Sequence, residues 1–445
     1  MSESFSTLRI NPTRLFDSFS ALSLIGATGY GGVNRPALGE AHLAARDWFR
    51  IEAESAGLEF RVDGAGNHSA IVIARATARH LHRTAFGAVQ VSNLQHGREI
   101  ASSGDALLAK TLLLGSHLDS VPNGGRFDGA LGVAAALEVL KTVKENGINL
   151  KFDLEAIDFT DEEGTLVGLL GSSALAGRLH PERLKNPRGG RQNLLDGLAR
   201  AGLSEAGIFT AVRPKESLAG YLELHIEQSK RLERMGIDIG IVSAIVGIRS
   251  YRLGFIGRAD HAGSTLMTDR ADASLGASAF TLAARELVMR DFPDCVVNIG
   301  KMDFAPGVFN IVPARVDLSL EFRSPDEKQF EKMDAALMTC AKEQAARFDL
   351  GLEIECFEKH APNAMTAEVQ QAFADSCDDL GLTHVSLASG AIHDGQSFDG
   401  ICPIGMIFVP SVDGASHAPR EFTQWEDCVK GVNVLLQTVL RLGSR

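Results

Sequence analysis

The chain has 445 residues, too many for one ordinary hydrophobic core, so two domains are expected. Its 44 Lys plus Arg stand against 56 Asp plus Glu, a net charge of −12, which argues against nucleic acid and anionic membranes as partners. The amino terminus, Met-Ser-Glu-Ser-Phe-Ser-Thr-Leu, lacks the basic flank and apolar core of a signal peptide. No apolar run approaches membrane-spanning length, and six cysteines without Cys-x-x-Cys spacing read as reduced thiols of a cytoplasmic protein.

In chain order, Ala70 to Ala74 reads as a strand. A hairpin excursion or loop over Arg79 to Asp105 follows, holding His80, His82 and His96 at no convincing ligand spacing. Leu112 to Leu114 and Phe152 to Phe159 are apolar runs that predict buried strands. Between them, Gly124-Gly-Arg-Phe-Asp128-Gly129 is rich in turn formers and hands over to a predicted helix, Ala130 to Glu145. The run Tyr221-Leu-Glu-Leu predicts another strand, ending at His225. From Ile248 the pattern reads strand (251–256), helix (271–290), strand (295–303), strand (314–322), helix (327–347) and strand (352–357). That βαββαβ order predicts a ferredoxin-like sandwich. The chain then returns to helix over Thr366 to Leu380 and strand over Ile404 to Val409, so the sandwich is inserted in a larger α/β domain. The expected boundaries are 1–246 with 361–445 for the larger domain and 247–360 for the insertion.

His117 and Glu162-Glu163 emerge just past the carboxyl ends of two predicted strands, where open α/β sheets place ligands. Asp128 sits at the mouth of the following helix; taken singly it would be an N-cap. One His and one Asp do not complete a metal site, since zinc takes about four ligands. His225 and His417 stand in similar strand-end contexts. If two metals share Asp128 as a bridge, His117 and His225 hold one while Glu163 and His417 hold the other. Glu162 is then free to act as a general base. Asp119, two residues beyond His117, is placed to orient that imidazole from behind.

The order Gly-Ser-His117-Leu-Asp119-Ser-Val-Pro-Asn-Gly-Gly-Arg-Phe-Asp128-Gly, then Thr-Asp-Glu162-Glu163-Gly, His225-Ile-Glu-Gln228 and Ser-His417-Ala, resembles a known family. It is that of the dinuclear-metal amidohydrolases of the hydantoinase/carbamoylase group. These include N-carbamoyl-L-amino acid hydrolases, β-ureidopropionases and allantoate amidohydrolases, relatives of the aminoacylase and carboxypeptidase G metallopeptidases. The resemblance runs from about Asn11 to the end of the chain. It implies a zinc-peptidase-like catalytic domain whose insertion serves as a dimerisation and lid domain. It also implies two divalent metal ions (zinc, with manganese, cobalt or nickel as alternatives) on His117, Asp128, Glu163, His225 and His417, with Glu162 as base. A histidine at 225, where the wider superfamily generally has an acid, is similar to the carbamoylase branch.

The same resemblance extends beyond the metals. Gly257-Arg-Ala-Asp-His261-Ala-Gly-Ser resembles the segment whose histidine reaches the neighbouring subunit's active site, which implies a homodimer. Asn310 and Arg323 match residues that grip a substrate carboxylate, a task suited to the planar fork of arginine. Gln228 resembles a ureido contact. Ser389-Gly-Ala-Ile-His393-Asp resembles the family's Ser-Gly-Ala-Gly-His-Asp loop, with Ile392 replacing glycine, and Ser229 stands where glycine follows the Gln. Without the resemblance, Asn310 reads as a turn cap, Arg323 as the partner of a surface acid and His261 as a residue satisfying a turn. The implied reaction is hydrolysis of a linear C–N amide bond, removing the carbamoyl group of an N-carbamoyl amino acid or allantoate-like ureido acid. Two alternatives remain: aminoacylase- or dipeptidase-type amide hydrolysis, and a non-catalytic metal-dependent binding protein.

Overall fold

The computed structural model of the chain describes residues 7–73 and 110–444. The excursion expected over 79–105, with its three histidines, and Ala74 at the end of the first predicted strand lie outside the described residues.

The strands are β1 (Glu59–Val62), β2 (His68–Val72), β3 (Thr111–His117), β4 (Asp153–Phe159), β5 (Leu218–Ile226), β6 (Ile239–Ile245), β7 (Gly247–Ile256), β8 (Val296–Ala305), β9 (Arg315–Ser324), β10 (Gly351–His360), β11 (Asn363–Ala364), β12 (His384–Ser389) and β13 (Ile404–Val409). By density of internal contacts the chain divides into two units. The first comprises Met1–Val242, Met365–Ser386 and His393–Arg445; the second comprises Ser243–Ala364 and Leu387–Ile392. The short return of 387–392 departs from the expected boundaries. It follows from the backbone ladder, since Val246 N–H donates to Ser389 O at 3.0 Å at the start of the second unit.

The first unit has a mixed α/β fold, its sheet running β1-β2-β4-β3-β5-β13-β6, with β12 also pairing β6. The centre is parallel: β3 lies between β4 and β5, and β13 pairs β5 in register from Ile404↔Tyr221 to Val409↔Ile226. Parallel strands are covered on both faces, which is why Leu112 to Leu114 and Ile404 to Val409 are continuous apolar runs and are buried throughout. The helix Ala130–Glu145 packs on β3, β4 and β5 and is buried from Ala130 to Val143. Its inward Glu138 is matched by Arg14, whose Nε donates at 2.7 Å. The helix Trp425–Ser444 adds Val432, Leu435, Leu436 and Val439 to the same core.

The second unit carries an antiparallel sheet in the order β10-β7-β9-β8. β9 alternates half-buried and buried residues along its length, as a strand with one face on a core must. The helices Ala273–Asp291 and Glu327–Arg347 cover that face, placing Phe280, Ala284, Phe330, Met333 and Leu337 against Leu253, Phe255, Leu318 and Leu320. Asp272 and Asp326 cap them, accepting from Ser274 N at 2.9 Å and Gln329 N at 2.8 Å. No described helix is long and apolar enough to cross a membrane.

Candidate active site

Three parallel strands of the first unit and the loop after a fourth bring the candidate ligands together. His117 ends β3, His225 is the next-to-last residue of β5, Glu162 and Glu163 follow β4, and His417 lies beyond β13. Asp128 precedes the helix Ala130–Glu145 without capping it: the N-cap is Gly129, in a left-handed conformation at φ 63°. A Cβ at Gly129 would fall 2.4–2.5 Å from the His117 ring, so only glycine lets the imidazole lie against this turn.

Asp128 is the centre of the arrangement. His225 Nε2 lies 3.2 Å and His117 Nε2 3.6 Å from its Oδ1, while His417 Nε2 lies 3.4 Å from its Oδ2 and 3.5 Å from Glu163 Oε2. The donors form two groups that share the aspartate: His117, Asp128 and His225, and Asp128, Glu163 and His417. Glu162 Oε2 stands 3.5 Å from His117 Nε2. A third group, Glu223, His225 and His393, is close enough to count. Its Glu223, however, already accepts from Ser116 Oγ at 2.7 Å and from the Tyr221 hydroxyl at 2.9 Å.

The tautomers show what this geometry suits. His117 Nδ1–H donates to Asp119 O at 3.0 Å and His225 Nδ1–H to Ile226 O at 2.9 Å, so both Nε2 atoms face the carboxylates. Burial holds His117 neutral, its pKa down at about 4, which points a lone pair at two carboxylate oxygens. Burial also pushes Glu162 well up and, with Asp128 beside it, Glu163 to about 8. Such a gathering of imidazoles and carboxylates around one aspartate fits a cation among them. The donor separations near 3.2–3.6 Å match the edge, about 3.4 Å, of a tetrahedron with metal–ligand bonds of about 2.0–2.1 Å.

The remaining predicted residues fall as follows. Asp119 meets His117 through its main-chain carbonyl, with the carboxylate 3.8 Å from Nδ1. The carboxylate instead accepts from the amides of Glu162 and Glu163, at 3.2 Å each, so the expected side-chain support of the imidazole is corrected to a clamp on the glutamate pair. Gln228 donates through Nε2 to Asp128 Oδ2 at 2.8 Å, and its buried Oε1 has no partner among the described residues. His393 is buried, its ring centroid 4.6 Å from that of His225. His261, Asn310 and Arg323 belong to the second unit. There His261 forms a bridge with Ile311, next to Asn310, whose carbonyl accepts from Ala262 N at 3.0 Å. His261 Nδ1 accepts from Gly263 and Ser264 N–H at 3.0 and 3.2 Å, which leaves the proton on an outward Nε2. Arg323 contacts Glu321 Oε1 through Nε and Nη2 and donates from Nη1 to Gly390 O at 2.7 Å, so two of its five N–H donors remain.

Three contributors carry no readable signal of their own. Arg35, fully buried, donates to Leu118 O at 2.9 Å and braces the turn after β3. Ser416 donates to Asp128 Oδ2 at 2.9 Å, and Glu421 accepts from the Asp128 amide at 3.0 Å.

A mixed α/β sheet whose strand ends gather two histidine-and-carboxylate groups around one aspartate defines a metal-dependent hydrolase. The chain belongs to Peptidase family M20/M25/M40, whose family model matches residues 113–441. It is 35% identical over 437 residues to an N-carbamoyl-L-amino acid amidohydrolase of Geobacillus stearothermophilus, covering 98% of this chain and 99% of that one. It is 35% identical over 341 residues to a ureidoglycolate hydrolase of Arabidopsis thaliana, covering 74% of this chain and 71% of that one. Among solved structures, a hydantoinase/carbamoylase family amidase from Burkholderia multivorans superposes with a TM-score of 0.84 at 31% identity, over 99% of each chain.

Proposed function

We propose that the chain is an amidohydrolase that removes the carbamoyl group from an N-carbamoyl amino acid or a related ureido acid, with water as co-substrate and the amine, ammonia and carbon dioxide as products. Relatives carrying that activity in their names match along the whole chain. The observation that favours a ureido group over a plain amide is Gln228. Its Nε2 is committed to Asp128, and its buried Oε1 offers an acceptor to the terminal NH2 that only the ureido group has.

His117, His225 and Asp128 would hold one divalent ion and Asp128, Glu163 and His417 a second; zinc suits these donors, as do manganese, cobalt and nickel. Bound there, the ions supply Lewis acidity to the scissile carbonyl and acidity to a water. The protein's own groups do the rest. Glu162 accepts a proton from the attacking water and delivers it to the leaving nitrogen. His261 Nε2–H donates to the oxygen on which negative charge grows, and the free donors of Arg323, with Asn310, hold the substrate carboxylate. His393, packed against the His225 ring, would contact the substrate from that side.

The second unit serves as a ferredoxin-like dimerisation and lid domain, and His261 acts in the partner's site. Support for pairing comes from an exposed apolar row on the helix Ala273–Asp291, Leu275, Leu282 and Met289 at seven-residue spacing, beside the exposed edge strand β8. The test of function is ammonia release from a panel of N-carbamoyl-α-amino acids, β-ureidopropionate, allantoate and ureidoglycolate, run beside N-acetyl amino acids and dipeptides whose turnover is read by release of the free amino acid. Turnover confined to the acetyl and peptide members would replace the carbamoyl reading with aminoacylase or peptidase chemistry.

A further inference from the structure

Glu421 is a buried carboxylate that the proposed chemistry leaves without a task. It stands in the turn that carries His417, with its own amide donating to Ala418 O at 3.0 Å. Its side chain crosses to the turn that carries Asp128. Oε1 accepts from Phe127 N–H at 2.8 Å and from Asp128 N–H at 3.0 Å, two amides just ahead of the helix Ala130–Glu145. Gly125 makes the approach possible: a Cβ there would lie 1.9–2.2 Å from the carboxylate atoms of Glu421. Ser416 completes the link. Its hydroxyl lies 2.9 Å from Asp128 Oδ2 and 3.3 Å from Glu421 Oε2, so its single proton goes to the nearer oxygen, while Gln228 Nε2 approaches Ser416 Oγ at 3.2 Å.

Asp128 therefore has its main chain fixed by Glu421 and its side chain by Ser416 and Gln228. Ser416 and Glu421 flank His417, the ligand candidate on the same aspartate oxygen. A shift of the Asp128 backbone by a few tenths of an ångström would move both of its oxygens relative to three imidazoles at once.

We infer that Glu421 is a positioning residue: by accepting the Phe127 and Asp128 amides it locks the Asp128 turn to the His417 turn and so sets the spacing of the two metal positions. The inference rests on the proposed two-metal reading of the site. What it requires of residue 421 is an acceptor oxygen of the right reach, and a glutamine supplies one.

The test compares wild type, Glu421→Gln, Glu421→Asp and Glu421→Ala, each stripped with a chelator and titrated with Zn2+ by calorimetry, with thermal unfolding as a check on folding. Removal of a supporting partner behind a metal ligand typically costs about 10–100-fold in affinity or activity. The expected result is a loss of at least about tenfold in Zn2+ affinity for Glu421→Ala, a similar loss for Glu421→Asp, whose shorter arm misses the amides, and at most about threefold for Glu421→Gln. In turnover of an N-carbamoyl substrate the loss should fall on kcat with KM nearly unchanged. Glu421→Asp carries the comparison if the alanine variant does not fold. Two outcomes overturn the inference: Zn2+ binding by the alanine and aspartate variants that equals wild type, or a glutamine variant as impaired as alanine, which would make the charge rather than the anchoring decisive. If wild type binds two Zn2+ with no carbamoyl turnover, the proposed reaction fails while the calorimetric comparison still judges Glu421.

Discussion

Gln228 Nε2 donates to Asp128 Oδ2 at 2.8 Å, and this contact fixes which end of the amide is left over. A carboxylate accepts only, so the nitrogen must face it and the oxygen is the atom left over. Replacing Gln228 with methionine removes that acceptor. The expected outcome is a fall in kcat/KM on an N-carbamoyl substrate that exceeds the fall on its N-formyl analogue by about fivefold, the scale of one lost hydrogen bond of about 1 kcal/mol. Any disturbance of Asp128 affects both substrates alike, so the ratio isolates the ureido contact. An unchanged ratio would take Gln228 out of substrate recognition.

Glu162 has its backbone held by Asp119 and its carboxyl next to His117, yet it belongs to neither group around Asp128. Glu162→Gln should keep metal content and melting temperature and lose at least about a hundredfold in kcat. Activity like that of wild type would assign the proton transfer elsewhere.

Asp128 presents one oxygen to each group of donors. Asp128→Ala should therefore release both ions rather than one, read by elemental analysis of the purified protein. Retention of one equivalent at full occupancy would show that the aspartate does not bridge.

Arg323 uses its flat fork on Glu321 and Gly390 at once. Lysine in its place cannot keep both contacts and also present paired donors to a carboxylate. Arg323→Lys should raise KM for acid substrates and lower kcat/KM by about tenfold, corresponding to about 1–2 kcal/mol. Equal loss on an amide lacking the carboxylate would mark the arginine as structural.

How far the sequence could be read depends on which forces place each residue. The ligand candidates sit at the ends of strands whose apolar runs announce themselves, and Ile404 to Val409 has the boundaries that patterning alone predicts. Burial on both faces of a parallel sheet leaves no ambiguity of period. The residues that hold those ligands are set instead by contacts between loops. Asp119 has the right spacing to serve His117, but its carboxylate satisfies two amides from a different strand end. Glu421 lies 293 positions from the amide of Asp128 that it accepts, in a proline-containing loop with no periodicity. Likewise the return of 387–392 to the second unit depends on one stretch of backbone pairing that composition does not encode.

His261 and the ligand candidates lie in different units of the fold. If His261 serves the partner's site, mixing inactive Glu162→Gln with inactive His261→Ala should restore activity, because a mixed dimer assembles one site with both groups intact. About a quarter of wild-type activity is expected at full statistical exchange, since half of the dimers are mixed and each holds one good site. Exchange verified by mass without recovered activity would place His261 within its own subunit's site or outside catalysis.

Asp161, Gln228 and His417 all adopt left-handed backbone conformations, at φ 57°, 59° and 54°. Glycine is the residue such backbone favours, and strain of this kind costs of order 1 kcal/mol at a non-glycine residue. Yet each side chain is in use. Asp161 accepts from the amides of Leu166, Val167 and Gly168, Gln228 donates to Asp128, and His417 faces Asp128 and Glu163. Mutational tolerance at these positions is therefore closed from two directions. Glycine relaxes the chain and abolishes the contact, while any other side chain keeps the strain without the chemistry. A saturation scan should find them among the least replaceable residues of the protein, glycine included, even though glycine would relieve the backbone strain at each of them.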